Sequence, residues 1–469
     1  MIGQLLRYAP VQVFSALSVF LLIAIQTRFL TPENYGLLAV SMVVLELVRA
    51  FTTQWLNTSM LRLYPIYSAQ EQQQLVQSIS LTILFGGLVG FVVIAFALYA
   101  NQQLNGSLLS ILCLLLSVKS LFQYQLELAR LNERLSAYRQ AILLQSISVV
   151  VLSLGWLAYS ATIESALLSL TLSYGIGALI FGLPSQPKLH RLMLKRLFAY
   201  GIPIMLAGGI GVIGGRIDRL FIAHISGMQQ TGIYAAQANL LAGVLGLVFM
   251  VIALPLYPNL AKVSADRSVL QHQHQTYLHL LLTLTVPAVI GLGLLQQPLI
   301  KLLLGEQYMT GSPALFWVLA LAVYTINFKA HYLEHGLQFL LQPGKLLWIS
   351  LIGLTCSILL LPSMLHRFGI FGAALTLLMV SVLLASLVFL CAWRAGYRYS
   401  LGSDGIKVLI AAAVMGGYLF QILKLPLSIN PLLALSGYIV SSIAVYGLSL
   451  WLFNPFKARQ RLTDWWRKS

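Results

Sequence analysis

About fourteen stretches of roughly 20 mostly apolar residues follow one another along the chain, separated by short polar breaks. Each is long enough to cross about 30 Å of hydrocarbon as a helix. Such a pattern leaves few folds open, because a backbone in lipid must satisfy its own polar groups within the segment. The expected fold class is all-α: a polytopic membrane protein of about 14 transmembrane helices. The spans fall near 8–29, 36–60, 75–98, 107–128, 138–160, 164–183, 199–223, 229–258, 275–297, 313–333, 344–365, 369–394, 405–424 and 430–453. Composition agrees, since only 9% of the 469 residues are charged, against about a quarter in soluble domains. The first span follows only Arg7 and runs too long for a cleaved signal, so it is expected to stay as a helix. Cys113, Cys356 and Cys391 sit in apolar stretches without a pairing pattern and read as small core residues.

A net charge of +17 invites a nucleic-acid reading, but its placement argues against one. With the N-terminus inside, twenty of the 29 Lys and Arg fall in cytoplasmic loops and tails, four in outer loops and five inside spans. The four outer ones are Arg28, Lys301, Arg367 and Lys424. That asymmetry is the positive-inside rule and places both termini in the cytoplasm. The basic tail KARQRLTDWWRK, with Trp465 and Trp466, suits anionic headgroups. All outer loops are short, so no soluble domain is expected.

Charges inside spans carry the functional signal, because each costs about 2.5–3.5 kcal/mol at the bilayer centre on insertion scales. They must face protein or water rather than lipid. In YGIPIMLAGGIGVIGGRIDRLFIAHISGMQQTGIYAAQAN (200–239), Arg216 and Arg219 share a helical face and offer forked donors suited to phosphate oxygens. Asp218 points away from Arg219, and the bland alternative is an ion-pair network that only fixes packing. The glycines of this stretch read as packing or kink positions. Glu46 and Arg49, three apart in span 2, form either a structural lock or separable gating charges. Lys119 in span 4 and Lys329 in span 10 either line a cationic cavity or pair across helices with Glu46 or Asp218. Away from the span ends, five cations against two carboxylates favour an anionic substrate. Gly86 and Gly90 in span 3 have the small-xxx-small spacing that permits close helix contact.

Spans 1 and 7 resemble each other in outline. Tyr8-x-Pro10 enters one and Tyr200-x-x-Pro203 the other; Arg28 precedes the Tyr35–Gly36 turn, as Arg219 precedes Gly232-x-Tyr234. Parallel repeats of this kind suggest two six-helix lobes, 1–190 and 191–400, with helices 13 and 14 and the basic tail appended over 401–469. The linker LPSQPKLHRLMLKR marks the boundary.

Residues 331–335, HYLEH, match the H-x-x-E-H of inverted zinc peptidases. No Glu follows Glu334 to complete the ligand set, so a polar helix end is the favoured reading. His272, His274 and His279 read as a wet interface rather than a metal site. Gly344-Lys345 lacks the upstream glycine and following Ser or Thr of a phosphate loop. No cofactor or metal is expected, and no catalytic residue is assigned.

TRFLTPENYGLLAV (27–40), NTSMLRLYP (57–65), GRIDRLFIA (215–223) and GIYAAQA (232–238) resemble the polysaccharide exporters of the multidrug/oligosaccharidyl-lipid/polysaccharide superfamily. The resemblance runs over nearly the whole chain. It implies a flippase of the bacterial inner membrane for an undecaprenyl-pyrophosphate-linked oligosaccharide, feeding O-antigen, capsule or exopolysaccharide assembly. It implies partners among membrane lipids and polysaccharide polymerase and chain-length proteins, with no nucleic acid. On this reading Arg28, Arg49, Arg216 and Arg219 bind the substrate first and Lys119 and Lys329 second, while Glu46 and Asp218 act as gating or ion-pair groups. Gln26, Gln54, Asn57, Tyr124 and Asn239 are expected to hydrate the sugar. The alternatives are a cation-coupled multidrug exporter of the same superfamily, for which the first span lacks an acidic residue, and a membrane glycan polymerase or ligase, for which a large outer loop is missing.

Overall fold

Several helices start where the sequence supplies a side-chain oxygen for the orphan N–H groups of a first turn. Thr31 accepts from the Asn34 N–H, with Pro32 pre-set for the opening position. Asn105, Thr162 and Asn430 cap in the same way. Asp266 does so outside the spans; the Ser268 hydroxyl and the Val269 and Ser268 N–H groups hold its carboxyl below the usual range. The computed structural model describes residues 2–100, 105–182, 185–263, 266–310, 313–342, 344–425 and 430–455. The basic tail lies outside them, as does the side chain of Arg7.

The helices, in order, are α1 Ile2–Phe29, α2 Pro32–Arg49, α3 Trp55–Leu63, α4 Ala69–Ala100, α5 Gly106–Leu131, α6 Leu135–Tyr159 and α7 Ile163–Ala178. There follow α8 Arg191–Gly214, α9 Ile217–Ser226, α10 Met228–Lys262, α11 Arg267–Leu294, α12 Gln296–Leu299, α13 Ala314–Phe328, α14 Glu334–Phe339, α15 Gly344–Arg394, α16 Gly402–Ile422 and α17 Pro431–Phe453. Single π-helical turns occupy Ala50–Gln54, Ile300–Leu304 and Lys329–Leu333. All longer regular elements among the described residues are helical, in keeping with the all-α fold class. Twelve of the helical stretches there are long and apolar enough to cross a membrane, and Phe14–Phe29 is a shorter apolar one.

One of the twelve, α15, has 51 residues, or about 76 Å at 1.5 Å per residue, too long for one crossing. It turns back at Gly369, where φ is 58°. A Cβ on Gly372 would meet the Met364 carbonyl at 2.0 Å, and Gly353 lies against the Leu384 side chain, so the two halves run antiparallel. This accounts for the separate spans expected at 344–365 and 369–394. Span 7 departs from expectation. Instead of one helix over 199–223, α8 stops at Gly214 and α9 starts at Ile217, with Arg216 at φ −143° and ψ 0° between them.

The chain forms two compact units, 3–235 with 357–362 and 236–356 with 363–469. In the first, Gly86 packs on Thr52 and Thr53 and Gly90 on Leu116 and Val48, the close contact their spacing permits. Gly201 faces Trp55 and Gly209 faces Phe51, so two glycines of α8 are packing positions. The first turns of α2 and α10 meet backbone to backbone. A Cβ on Gly36 would lie 2.0 Å from the Met228 carbonyl oxygen, and one on Gly232 1.7 Å from that of Pro32. Hydroxyls inside the spans are satisfied locally: Thr27, Ser59, Ser80, Thr82 and Thr171 each donate to the carbonyl four residues back. In the second unit Phe249, Tyr277, Leu281, Tyr332, Leu337 and Val388 share one buried cluster. Large apolar side chains such as Leu84, Leu88, Val92 and Phe96 of α4 point outward, as lipid-facing residues do.

Candidate functional site

Three buried charges from two helices meet in the first unit. Glu46 and Arg49 lie one turn apart on α2, and Arg49 grips Glu46 Oε2 through Nη2 at 2.7 Å and Nε at 3.0 Å. Lys119 of α5 donates to the other oxygen, Glu46 Oε1, and its ammonium lies 5.4 Å from the Tyr174 ring centre. All three residues are less than a tenth exposed. A hydrogen bond between Thr53 and Ser120, 2.8 Å long, ties the two helices beside them. One carboxylate thus serves two cations, and the cluster keeps a net positive charge.

Arg49 turns two further donors to amides: Nη1 reaches Gln123 Oε1 at 2.5 Å and Nη2 reaches Gln54 Oε1 at 3.4 Å. These residues open onto a cavity of about 300 Å³, also lined by Asn57, Thr58, Leu61, Leu126 and Glu127. Arg216, at the break between α8 and α9, is within electrostatic reach of Arg219, Glu46, Arg49 and Asp218. Asp218 is buried in the first turn of α9, where it accepts from the Tyr234 hydroxyl at 2.6 Å and the Arg219 N–H at 2.8 Å. A helix N-terminus favours such a carboxylate.

Of the expected site residues, the structure therefore brings together Glu46, Arg49 and Lys119, with Arg216 within electrostatic reach of Glu46 and Arg49, and Asp218 within reach of Arg216. Arg219 follows Asp218 on α9, and Arg28 sits exposed in the last turn of α1. Lys329 belongs to the second unit and pairs with Glu334 at 2.6 Å. Glu334, read as part of a polar helix end, is thus a third carboxylate for the in-span cations, and Lys329 is neutralised locally instead of by Glu46 or Asp218. Gln54 and Asn57 line the cavity, whereas Tyr124 is packed in the core with Trp55 and Met60, its hydroxyl 3.4 Å from the Val76 carbonyl. Gln123 and Glu127 carried a signal that was missed: with Lys119 they stand four apart on one face of α5.

The histidines correct a second expectation. His272 is exposed, but His274 is buried, stacked 4.4 Å from Tyr332, with Nδ1 2.8 Å from the Tyr397 hydroxyl. His279 is buried too, its Nε2 against the Leu401 carbonyl. His335 is likewise buried, its ring tilted against those of Tyr257, Tyr277 and Phe339. His274 and His335 thus lie in a buried aromatic cluster, and of the three histidines read as a wet interface only His272 is exposed. Among the described residues no group of three or more His, Cys, Asp or Glu is placed to hold a metal ion.

The long apolar helices are those of a multi-pass membrane protein. The chain is similar to a solved structure of the lipid II flippase MurJ in an inward closed conformation, with a TM-score of 0.75, 14% identity and coverage of 95% of this chain and 98% of that one. It is also similar to an inward-facing multidrug resistance MATE family transporter of the multidrug/oligosaccharidyl-lipid/polysaccharide superfamily, with a TM-score of 0.61, 13% identity and coverage of 81% and 94%. None of the curated proteins matches. The family model described as polysaccharide biosynthesis protein matches residues 25–313, more than half of the chain, and the chain belongs to that family.

Proposed function

We propose that this protein is a flippase that carries an undecaprenyl-pyrophosphate-linked oligosaccharide across the bacterial inner membrane by alternating access, for O-antigen, capsule or exopolysaccharide assembly. The observation that carries the reading is the buried, net-positive Glu46–Arg49–Lys119 cluster opening on a polar cavity, in a chain of a polysaccharide biosynthesis family. A diphosphate oxygen about 4 Å from an arginine gains about 4 kcal/mol per charge pair at an effective dielectric near 20. Several such contacts offset much of the lost hydration. Arg49 and Arg216, with Arg28 and Arg219, supply these contacts, and Lys119 and Lys329 are secondary. Glu46 and Asp218 set the charge balance and the position of the arginines. The lobe division at 190 and 400, cytoplasmic termini, and polymerase and chain-length partners belong to the same proposal. No catalytic step is part of it.

The test is Arg216→Ala combined with Arg219→Ala in cells that display the glycan. Surface glycan is expected to vanish while protein level and membrane insertion stay normal, and normal display in that variant removes the assignment. Translocation of lipid-linked oligosaccharide in reconstituted vesicles reads the activity directly. The multidrug-exporter alternative, which shares the fold, predicts instead an altered drug-resistance profile on deletion and unchanged glycan.

A further inference from the structure

We infer that the cavity beside Arg49 is the subsite for the sugar unit next to the diphosphate, and that Glu127 makes it select neutral or amino sugars against uronic acids. The inference rests on the flippase reading and adds a specificity to it. Two walls face each other across this space. One is the α2–α3 side, with Gln54, Asn57, Thr58 and Leu61; the other is α5, with Gln123, Leu126 and Glu127. At about 300 Å³ the cavity is at the small end of ligand sites, which run from about 300 to 1,000 Å³. That suits one sugar unit rather than a whole repeat.

The lining is graded. Along α5, Lys119, Gln123 and Glu127 follow at one-turn intervals, so Glu127 stands about 12 Å beyond Lys119 and about 6 Å beyond Gln123. The cationic end is where phosphate oxygens are drawn. The middle offers amides, which both donate and accept and therefore match vicinal hydroxyls. Leu61 and Leu126 supply apolar surface for the C–H faces of a pyranose. The far end is an acceptor. Glu127 has one oxygen 3.2 Å from Arg130, whose side chain is half exposed. A carboxylate has about four acceptor sites, so a single solvent-screened partner leaves capacity for two adjacent hydroxyls or an ammonium group. A uronate carboxylate placed there meets a like charge.

The experiment uses the full chain purified in detergent and three probes: farnesyl diphosphate, its conjugate with one N-acetylhexosamine, and its conjugate with one hexuronic acid. The wild type is expected to bind the hexosamine conjugate about tenfold or more tighter than the hexuronate, a margin of about 1.4 kcal/mol. Glu127→Gln should shrink that ratio to near one. Asn57→Leu, on the opposite wall, should weaken the hexosamine conjugate several-fold and spare the bare diphosphate, and it tests the subsite even where Glu127→Gln fails to fold. Equal wild-type binding of the two conjugates, or an unchanged ratio in Glu127→Gln, overturns the inference alone. If wild type binds none of the three, the diphosphate reading falls and the subsite falls with it.

Discussion

Glu46→Gln is the perturbation that best separates a working charge cluster from inert packing. Glu46 holds Arg49 at 2.7 Å and also binds Lys119, with all three side chains about nine-tenths buried. At an effective dielectric near 20, each attraction at about 3 Å is worth about 5–6 kcal/mol before desolvation. Removing one partner of a buried pair costs about 3–5 kcal/mol net, because the other charge is left uncompensated. Here two cations are stranded next to each other, so the loss should fall at the upper end of that range. Lys119→Met removes only the second cation and leaves the Glu46–Arg49 pair, and should cost less. In the double variant Arg49 keeps Gln123, Gln54 and the amide introduced on α2 as acceptors, and the repulsion is gone. The double-mutant cycle should therefore show a favourable coupling of about 2 kcal/mol or more, near the top of values for contacting residues. Unfolding in detergent read by denaturant or heat gives the four stabilities. A diphosphate probe gives a second, independent reading: affinity should rise in Glu46→Gln, where the cluster gains a positive charge, and fall in Lys119→Met. Additive stabilities together with unchanged probe affinity would refute both the pairing and its role.

Three further outcomes follow from the geometry. Gly232→Ala drives a methyl group into the Pro32 carbonyl, 1.7 Å away, and should cost about 1–3 kcal/mol by overpacking; Gly243→Ala on the same helix meets nothing within 4 Å and should be neutral or stabilising, so equal thermal shifts for the two would contradict the close α2–α10 contact. Tyr234→Phe deletes the 2.6 Å hydrogen bond to buried Asp218 and should lower stability by about 1.5–3 kcal/mol, with no change in a Tyr257→Phe control disproportionate to its own bond with Gln338. Lys329→Met leaves Glu334 without its 2.6 Å partner and should destabilise by about 1.5–3 kcal/mol; adding Glu334→Gln should recover most of that, and a failure to recover would show that the pair is not what couples them.

Much of the fold was legible because hydrocarbon thickness acts on every span alike: apolar length alone marks α4, α5, α6, α11, α16 and α17. The helix caps at Thr31, Asn105 and Asn430 were local chemistry, visible in principle without any tertiary information. What composition could not place was the point where α8 gives way to α9. Gly214 and Gly215 signal a weak helix, but only packing decides whether a weak helix breaks, and here Arg216 takes a non-helical backbone at the break. The buried histidines escaped for a related reason. A His on a polar-looking segment reads as wetted until its neighbours are known, and His274 is buried because Tyr332, Tyr397 and His335 come to it from distant parts of the sequence.

The site was half legible, and one geometric cause explains much of the missing half. A regular α-helix makes neighbours of residues three or four apart, which is why Glu46 with Arg49 could be read directly. Residues five apart sit about 140° off that face at 3.6 residues per turn. Yet Arg49 bonds to Gln54 and Lys329 bonds to Glu334, both five apart. In each case the intervening residues, Ala50–Gln54 and Lys329–Leu333, form a π-helical turn. A π turn closes its hydrogen-bonded ring one residue later, so it swings the fifth residue back toward the first. The same extra residue turns Gln54, Asn57, Thr58 and Leu61 as a set onto the side facing Gln123 and Glu127. In both units, then, a largely enclosed cation stands at the start of a widened turn that brings a polar partner to it, and no count of three or four along the sequence could have found either pair.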